Sequence, residues 1–283
     1  MFLMRTFSFE FFPPKDEIAA VDFGINIGKL LRLSPSFVTV TYGAGGSSRE
    51  RTFALVDYLH NKVGLKTVAH YSCVDASRQK IEEDLAALDA MGIDRLMLLR
   101  GDPQKGAERF ERPVDGFSYA SELIAFTRER YGDRFAIGGG AYPEKHPEAA
   151  SPEEDLLFLK RKVDAGCDFL ITQFFFDNSR YFDFVARARA AGIDCPIIPG
   201  ILPVTHYNQL ERFVRISGAS IPDDFLRELE RHKAASDKIA QIGREYATAQ
   251  CRDLLVGGAP GIHFYTLNKS RATVEIFESF VPV

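Results

Sequence analysis

Nearly every apolar run in this chain ends on a side chain that can do chemistry. In order, these ends are Glu10, Thr41 with Tyr42, His70, Arg100-Gly101-Asp102, Tyr142, Gln173, Pro203 and the stretch from Tyr265 to Asn268. Glu10 sits in Ser8-Phe9-Glu10-Phe11-Phe12. A carboxylate among phenylalanines is poorly solvated, which raises its pKa and suits a general acid. The competing reading is an alternating edge strand with Glu10 facing water. Asp102 could accept from a ligand N–H or supply negative charge, or it could belong to a solvent turn closed by Pro103. Gln173 carries an amide that donates and accepts, so it can read the edge of a heterocycle. The phenylalanines that follow it could equally be core. The loop Tyr142-Pro143-Glu144-Lys145-His146-Pro147-Glu148 is stiff and charged. Downstream, Asp155 and Lys162 are seven residues apart and share a helix face, with Lys160 and Arg161 beside them. A solvated charged face explains such a run as well. Gly138-Gly139-Gly140 costs backbone entropy and suggests that a flat or phosphorylated ligand approaches the chain closely. The six histidines are scattered and only His70 has a nearby cysteine, Cys73, so no metal site is expected. There is no Gly-x-Ser-x-Gly elbow and no P-loop.

The elements that must hold these residues follow from the pattern. Apolar runs of strand length cover 7–12, 37–42, 67–73, 95–100, 135–142, 169–176, 196–202 and 261–267. Helical spacing lies between them. Phe53, Val56, Leu59 and Val63 recur at three and four residues, as do Ile81, Leu85, Leu88 and Met91 before the stop at Gly92. Ser151-Pro152-Glu153-Glu154 reads as a cap, a proline at the first helical position and an acidic first turn. Ala165-Gly166 closes that helix, Ser179 opens the next and Gly192 ends it. Strands alternating with helices imply parallel pairing through crossovers. Eight such units predict an α/β protein, a (β/α)8 TIM barrel, as a single domain over 1–283. The span 221–258 is longer than one helix needs, so extra helix is expected before the last strand. An open doubly wound sheet is the alternative, but it wants a glycine fingerprint after the first strand. None follows Glu10, and Gly43 to Ser48 has Ser48 where the third glycine belongs. In a barrel the strands' C-terminal ends gather at one rim, so the residues above converge there.

Composition narrows the partners. The 283 residues carry 35 Lys+Arg against 39 Asp+Glu, a net charge of −4, which gives no electrostatic footprint for nucleic acid. Hydrophobic content of 46% and charged content of 26% are those of a folded globular chain. The four cysteines show no Cys-x-x-Cys spacing and read as small buried thiols in a reducing compartment. No signal peptide and no membrane span is expected, and the expected location is the cytoplasm.

The motifs SFEFFPP (8–14), VTVTYGA (38–44), LRGD (99–102), AYPEKHPE (141–148), LKRKVDAG (159–166), ITQFFFD (171–177), PGILPV (199–204) and HFYTLN (263–268) follow one another over nearly the whole chain. Together they resemble the methylenetetrahydrofolate reductase family. The resemblance implies FAD as cofactor, NADH or NADPH as co-substrate and 5,10-methylenetetrahydrofolate as substrate. It implies ping-pong hydride transfer through flavin N5, producing 5-methyltetrahydrofolate for methionine synthesis, by a homo-oligomer. It implies Glu10 as the acid that opens the folate's five-membered ring to an iminium cation, and Asp102 as the carboxylate beside flavin and pterin. Gln173, Gln209, Phe213 and Lys269 are implied on the substrate side. Thr41, Tyr42, Ala44, His70, Arg100, Gly101, Asp102, Tyr119, Ala120, Tyr142, His146, Ala149, Asp155, Arg161 and Lys162 are implied around the cofactor. Three positions depart from the pattern. Phe158 replaces a polar cofactor contact. Lys269 stands where Arg is expected, keeping charge but losing the bidentate fork. Cys167 takes a position that is often Ala. Because the sequence stops soon after the eighth unit, no regulatory region and no S-adenosylmethionine control are expected.

Two other classes compete. A cofactor-free barrel lyase or aldolase would work through a lysine or a carboxylate pair, yet no strand ends on lysine. A non-catalytic flavin or folate binder would have no need of both Glu10 and Asp102. Bound yellow cofactor separates the first from the reductase, and turnover separates the second.

Overall fold

A computed structural model describes residues 5–42, 46–102, 110 and 112–280. Ala44 lies outside the described residues, as does Pro103. The strands are β1 (Thr6–Phe11), β2 (Phe37–Val40), β3 (Thr67–Ser72), β4 (Arg95–Leu99), β5 (Ala136–Ala141), β6 (Phe169–Thr172), β7 (Ile197–Ile198), β8 (Gly200–Ile201) and β9 (Gly261–Tyr265). All pairings are parallel, in the order β7-β6-β5-β4-β3-β2-β1-β9-β8. The two ends of that order, β7 and β8, are halves of one stave separated only by Pro199, so eight staves close a TIM barrel.

The split has a local cause. Proline has no N–H to give a neighbouring strand. Its carbonyl still accepts from His263 N at 2.9 Å, and the next N–H, of Gly200, turns to Thr172 Oγ1 at 2.9 Å. Gly200 must be glycine, because a Cβ there would lie 2.3 Å from the Thr172 carbonyl.

Helices α1 (Glu17–Leu31), α2 (Gly46–Asp57, continued by a π-turn over Tyr58–Lys62), α3 (Arg78–Ala90), α4 (Ala120–Tyr131), α5 (Pro152–Asp164) and α6 (Asn178–Ala190) fill successive crossovers. Three more, α7 (Tyr207–Ser217), α8 (Asp223–Arg231) and α9 (Ser236–Val256), separate β8 from β9, and α10 (Arg271–Glu278) follows. The extra length at 221–258 is thus two helices. Ser151 caps α5 as its sequence foretells, accepting from Glu154 N at 3.2 Å. The cap of α6 is Asp177, whose side chain accepts from Ser179 N at 2.9 Å, so that helix starts one residue before Ser179.

Strand alternation divides the core. Phe9, Phe11, Val38, Val40, Leu96, Leu98, Ile262 and Phe264 face outward and pack under the helices. Val68, Met97, Ile171 and Ile198, with Phe37 and Phe169, form a separate apolar cluster that floors the barrel interior. A third cluster joins Phe174 and Phe176 to Leu210, Phe225 and Leu229, seating α7 and α8 beside the end of β6. Among the described residues no helix is long and apolar enough to cross a membrane.

Candidate active site

Above that apolar floor the barrel opens into a cavity of about 480 Å³. It is lined at the strand ends by Glu10, Thr41, Tyr42, His70, Arg100, Gly101, Asp102, Ala120, Tyr142, His146, Lys162, Gln173 and Phe213, all expected from sequence. His263 and Tyr265 line it too. Gly101 is forced by geometry: its φ is +91°, and a Cβ would lie 2.7 Å from Val74.

One wall is built by β1, β3 and β9. Glu10 is not among phenylalanines, because its sequence neighbours Phe9 and Phe11 point the other way, into the helix layer. Its neighbours in space are imidazoles. Glu10 Oε2 lies 3.8 Å from His70 Nε2 and 3.9 Å from His263 Nε2. Both Nε2 atoms are buried without a hydrogen-bond partner, as is Thr39 Oγ1 on the stave beside Glu10. His263 Nδ1 is tied to Ser8 Oγ at 2.8 Å, which turns the other ring nitrogen toward Glu10. Burial lowers the His70 pKa to about 4, only partly offset by the Glu10 charge. Burial, reinforced by Glu10, pushes the Tyr265 phenol well above its ordinary value. Its hydroxyl donates to the Thr172 carbonyl at 2.7 Å.

The opposite wall is cationic and closely tied. Arg100 donates to Glu148 through both terminal nitrogens, at 2.7 and 2.6 Å. That pairing raises the guanidinium pKa and lowers the carboxyl pKa. Lys162 reaches from α5 to the Gly140 carbonyl. Burial lowers its pKa, and Cys167 and Asp155 oppose the shift. Asp155 accepts from the His146 backbone N–H at 3.0 Å, holding the loop after β5 onto α5. Ala149 stabilises that loop through its backbone alone, its N–H on the His146 carbonyl and its own carbonyl on Lys145 Nζ. His146 sits edge-on to Tyr142, centroids 4.8 Å apart. Burial and Arg100 lower the His146 pKa, whereas burial and Asp102 lift Tyr142 to about 12.

Other expected residues take different places. Tyr119 caps α4 at the surface, stacked on Phe158 at 5.6 Å, and Arg161 lies over the Phe158 ring at 5.2 Å. Phe158 therefore joins a stack at the position where the resemblance implies a polar contact. Gln209 lines a small recess beside Pro203 and Phe213. Lys269 is exposed and paired with Asp22 at 3.6 Å, away from the cavity lining. The glycine triplet meets protein, not open space, at two of its positions. A Cβ on Gly138 would strike the Phe169 ring at 2.5 Å, and one on Gly139 would touch Cys167 Sγ at 3.0 Å; only Gly140 lines the cavity. Sequence reasoning gave no role to His263. Its signal was the β1–β9 register, which pairs Ser8 with His263 and Glu10 with Tyr265 across more than 250 residues. Among the described residues no cluster of His, Cys, Asp or Glu could hold a metal.

A closed barrel with an acid, imidazoles and cations converging on one mouth has the architecture of a barrel enzyme, with its site where the βα loops meet. Known proteins carry the class further. The methylenetetrahydrofolate reductase profile matches residues 4–280. The chain is 38% identical over 269 residues to 5,10-methylenetetrahydrofolate reductase of Salmonella typhimurium, covering 95% of this chain and 88% of that one. It is 36% identical over 279 residues to methylenetetrahydrofolate reductase (NADH) 1 of Arabidopsis thaliana, covering 95% of this chain but 47% of that one. It thus spans about half the length of the plant relatives. Among solved structures, an uncharacterized protein from Clostridium thermocellum that binds two copies of 5-methyl-5,6,7,8-tetrahydrofolic acid shares the fold at a TM-score of 0.65 and 16% identity, covering 97% of this chain and 94% of that one. A 2,3-dimethylmalate lyase shares it at 0.50 and 12%, covering 91% and 83%. The chain belongs to the methylenetetrahydrofolate reductase family, a family of oxidoreductases.

Proposed function

We propose that this chain reduces 5,10-methylenetetrahydrofolate to 5-methyltetrahydrofolate with FAD as cofactor and NADH or NADPH as donor. The observation that carries the reading is a carboxylate, Glu10, inside the cavity with two unpartnered imidazole nitrogens beside it and Asp102 and Gln173 lining the same space. Buried polar atoms without partners are uncommon and mark places where a ligand or water completes the bonding. The donor set fits a flavin. Arg100 and Lys162 are cations for a diphosphate, Tyr42 and Tyr142 are flat faces, and His70 offers a ring nitrogen. Thr41, Gly101, Ala120 and His146 complete that side, with Tyr119, Ala149, Asp155 and Arg161 outside the cavity lining. When bound, FAD would supply two-electron chemistry that lets donor and folate react in separate half-reactions.

The remaining work belongs to side chains. Glu10 holds the proton delivered to the folate's bridging nitrogen, which opens the five-membered ring to an iminium cation. The His70 imidazole, kept neutral by burial, adds no positive charge near the cation, and His263 flanks the same carboxyl. Asp102 supplies the negative charge that favours it. The Gln173 amide reads the pterin or nicotinamide edge, and Phe213 and Gln209 of α7 bound the folate at the mouth. The expected product supplies methionine synthesis, in a cytoplasmic homo-oligomer.

The test is anaerobic. Purified protein loaded with FAD is mixed with NADH or NADPH and then with methylenetetrahydrofolate. The reading requires bleaching of the flavin in the first step and recovery in the second. A polypeptide that refuses FAD, or a bleached flavin that the folate leaves unchanged, contradicts it.

A further inference from the structure

Behind the cavity wall, on the helix side of β3, the fold buries a second carboxylate that the proposed chemistry does not use. Asp84 shares the inward face of α3 with Ile81, Leu85 and Leu88 and is fully buried. Partners from three elements converge on it. Arg49, in the first turn of α2, pairs with Oδ1. Lys80 lies 3.0 Å from the same oxygen. The Tyr71 hydroxyl, from β3, donates to Oδ2 at 3.1 Å. The Tyr71 ring in turn lies against the Tyr42 ring, centroids 5.1 Å apart and planes at 59°, and Tyr42 lines the cavity.

Stability does not explain this cluster. A buried ion pair gives back in attraction little more than it loses in desolvation, and an apolar set of the same volume is often as stable or more so. A leucine at 84 would simply extend the Ile81, Leu85 and Leu88 stripe. A carboxylate adds direction. It fixes the rotation of the Tyr71 phenol and the place of the Arg49 guanidinium at once, and so sets the angle of the Tyr42 ring and of the first turn of α2. Burial, followed by the Asp84 charge, pushes the Tyr71 phenol far above its ordinary value, so it remains a donor at any working pH.

We propose that Asp84 is a positioning residue for the flavin site: through Tyr71 and Arg49 it orients Tyr42 toward the cofactor. The inference rests on the FAD reading above. The test titrates FAD into wild-type protein, Asp84→Leu/Arg49→Met and Tyr71→Phe. It follows flavin fluorescence and the visible circular dichroism of bound flavin, with thermal midpoints measured in parallel. The double variant is expected to melt at or above the wild-type midpoint while its Kd for FAD rises about fivefold or more and the visible dichroism changes. Tyr71→Phe is expected to shift both readouts in the same direction by less, and it decides the matter should the double variant fail to fold. A Kd within about twofold of wild type with unchanged dichroism overturns the inference. Failure of the wild-type chain to take up FAD would overturn the flavin reading itself, and the inference with it.

Discussion

The two walls of the cavity hold their charges in opposite ways. On the β4–β5–α5 side the two cations that line the cavity among the described residues already have partners: Arg100 has Glu148 and Lys162 has the Gly140 carbonyl. On the β1–β3–β9 side the Nε2 atoms of His70 and His263 stand 3.8 and 3.9 Å from Glu10 with no hydrogen-bond partner. A wall whose cations are fixed in place by the protein is suited to holding a ligand. A wall with one carboxylate and underused imidazoles is suited to moving a proton. On the function proposed above, the barrel separates the tasks by assigning them to different staves.

The largest effect that sharpens this contrast is at Glu10. Glu10→Gln should lower methylenetetrahydrofolate reduction by about 10²–10⁴-fold, the usual contribution of a positioned acid, with FAD still bound. A steady-state rate near wild type would remove Glu10 from the mechanism. Asp102→Asn should come next, slowing the folate half-reaction by roughly 10²-fold and the nicotinamide half-reaction by less. Equal slowing of both would give Asp102 a positioning role instead. On the other wall Lys162→Met should weaken FAD binding by about tenfold without altering the partition between half-reactions. A changed partition there would break the division of labour.

The last effect is on stability. His70 has a pKa of about 4 in the fold against 6.5 unfolded. Between those values the unfolded chain binds the extra proton, so stability rises with pH across the window and is lost as pH falls from 6.5 toward 4. The full effect is on the order of 3 kcal/mol. His70→Gln should flatten that part of the profile, as read by denaturant unfolding at several pH values. An unchanged slope would show that the imidazole titrates normally.

How legible was this in the sequence? Periodicity exposed the staves and their order, because each strand buries one apolar face and each crossover helix carries its own stripe. The stave split at Pro199 was hidden, since 196–202 reads as one apolar run and only the closing of the ring shows which N–H is missing. Strand ends announced Glu10, His70, Arg100 and Gln173 because a barrel gathers such ends at one rim. The surroundings of Glu10 were not announced. Its sequence neighbours are phenylalanines, but adjacent residues in a strand face opposite sides, and its spatial neighbours come from β3 and β9. The glycine triplet misled for a related reason: two of its glycines make room for Phe169 and Cys167, which lie about 30 residues on in sequence.

The most direct test of the two-wall account is rapid mixing of FAD-loaded Glu10→Gln, first with NADH and then with methylenetetrahydrofolate. The account predicts flavin bleaching at close to the wild-type rate, followed by almost no recovery when folate is added. Recovery at the wild-type rate, or loss of the bleaching step, would contradict it.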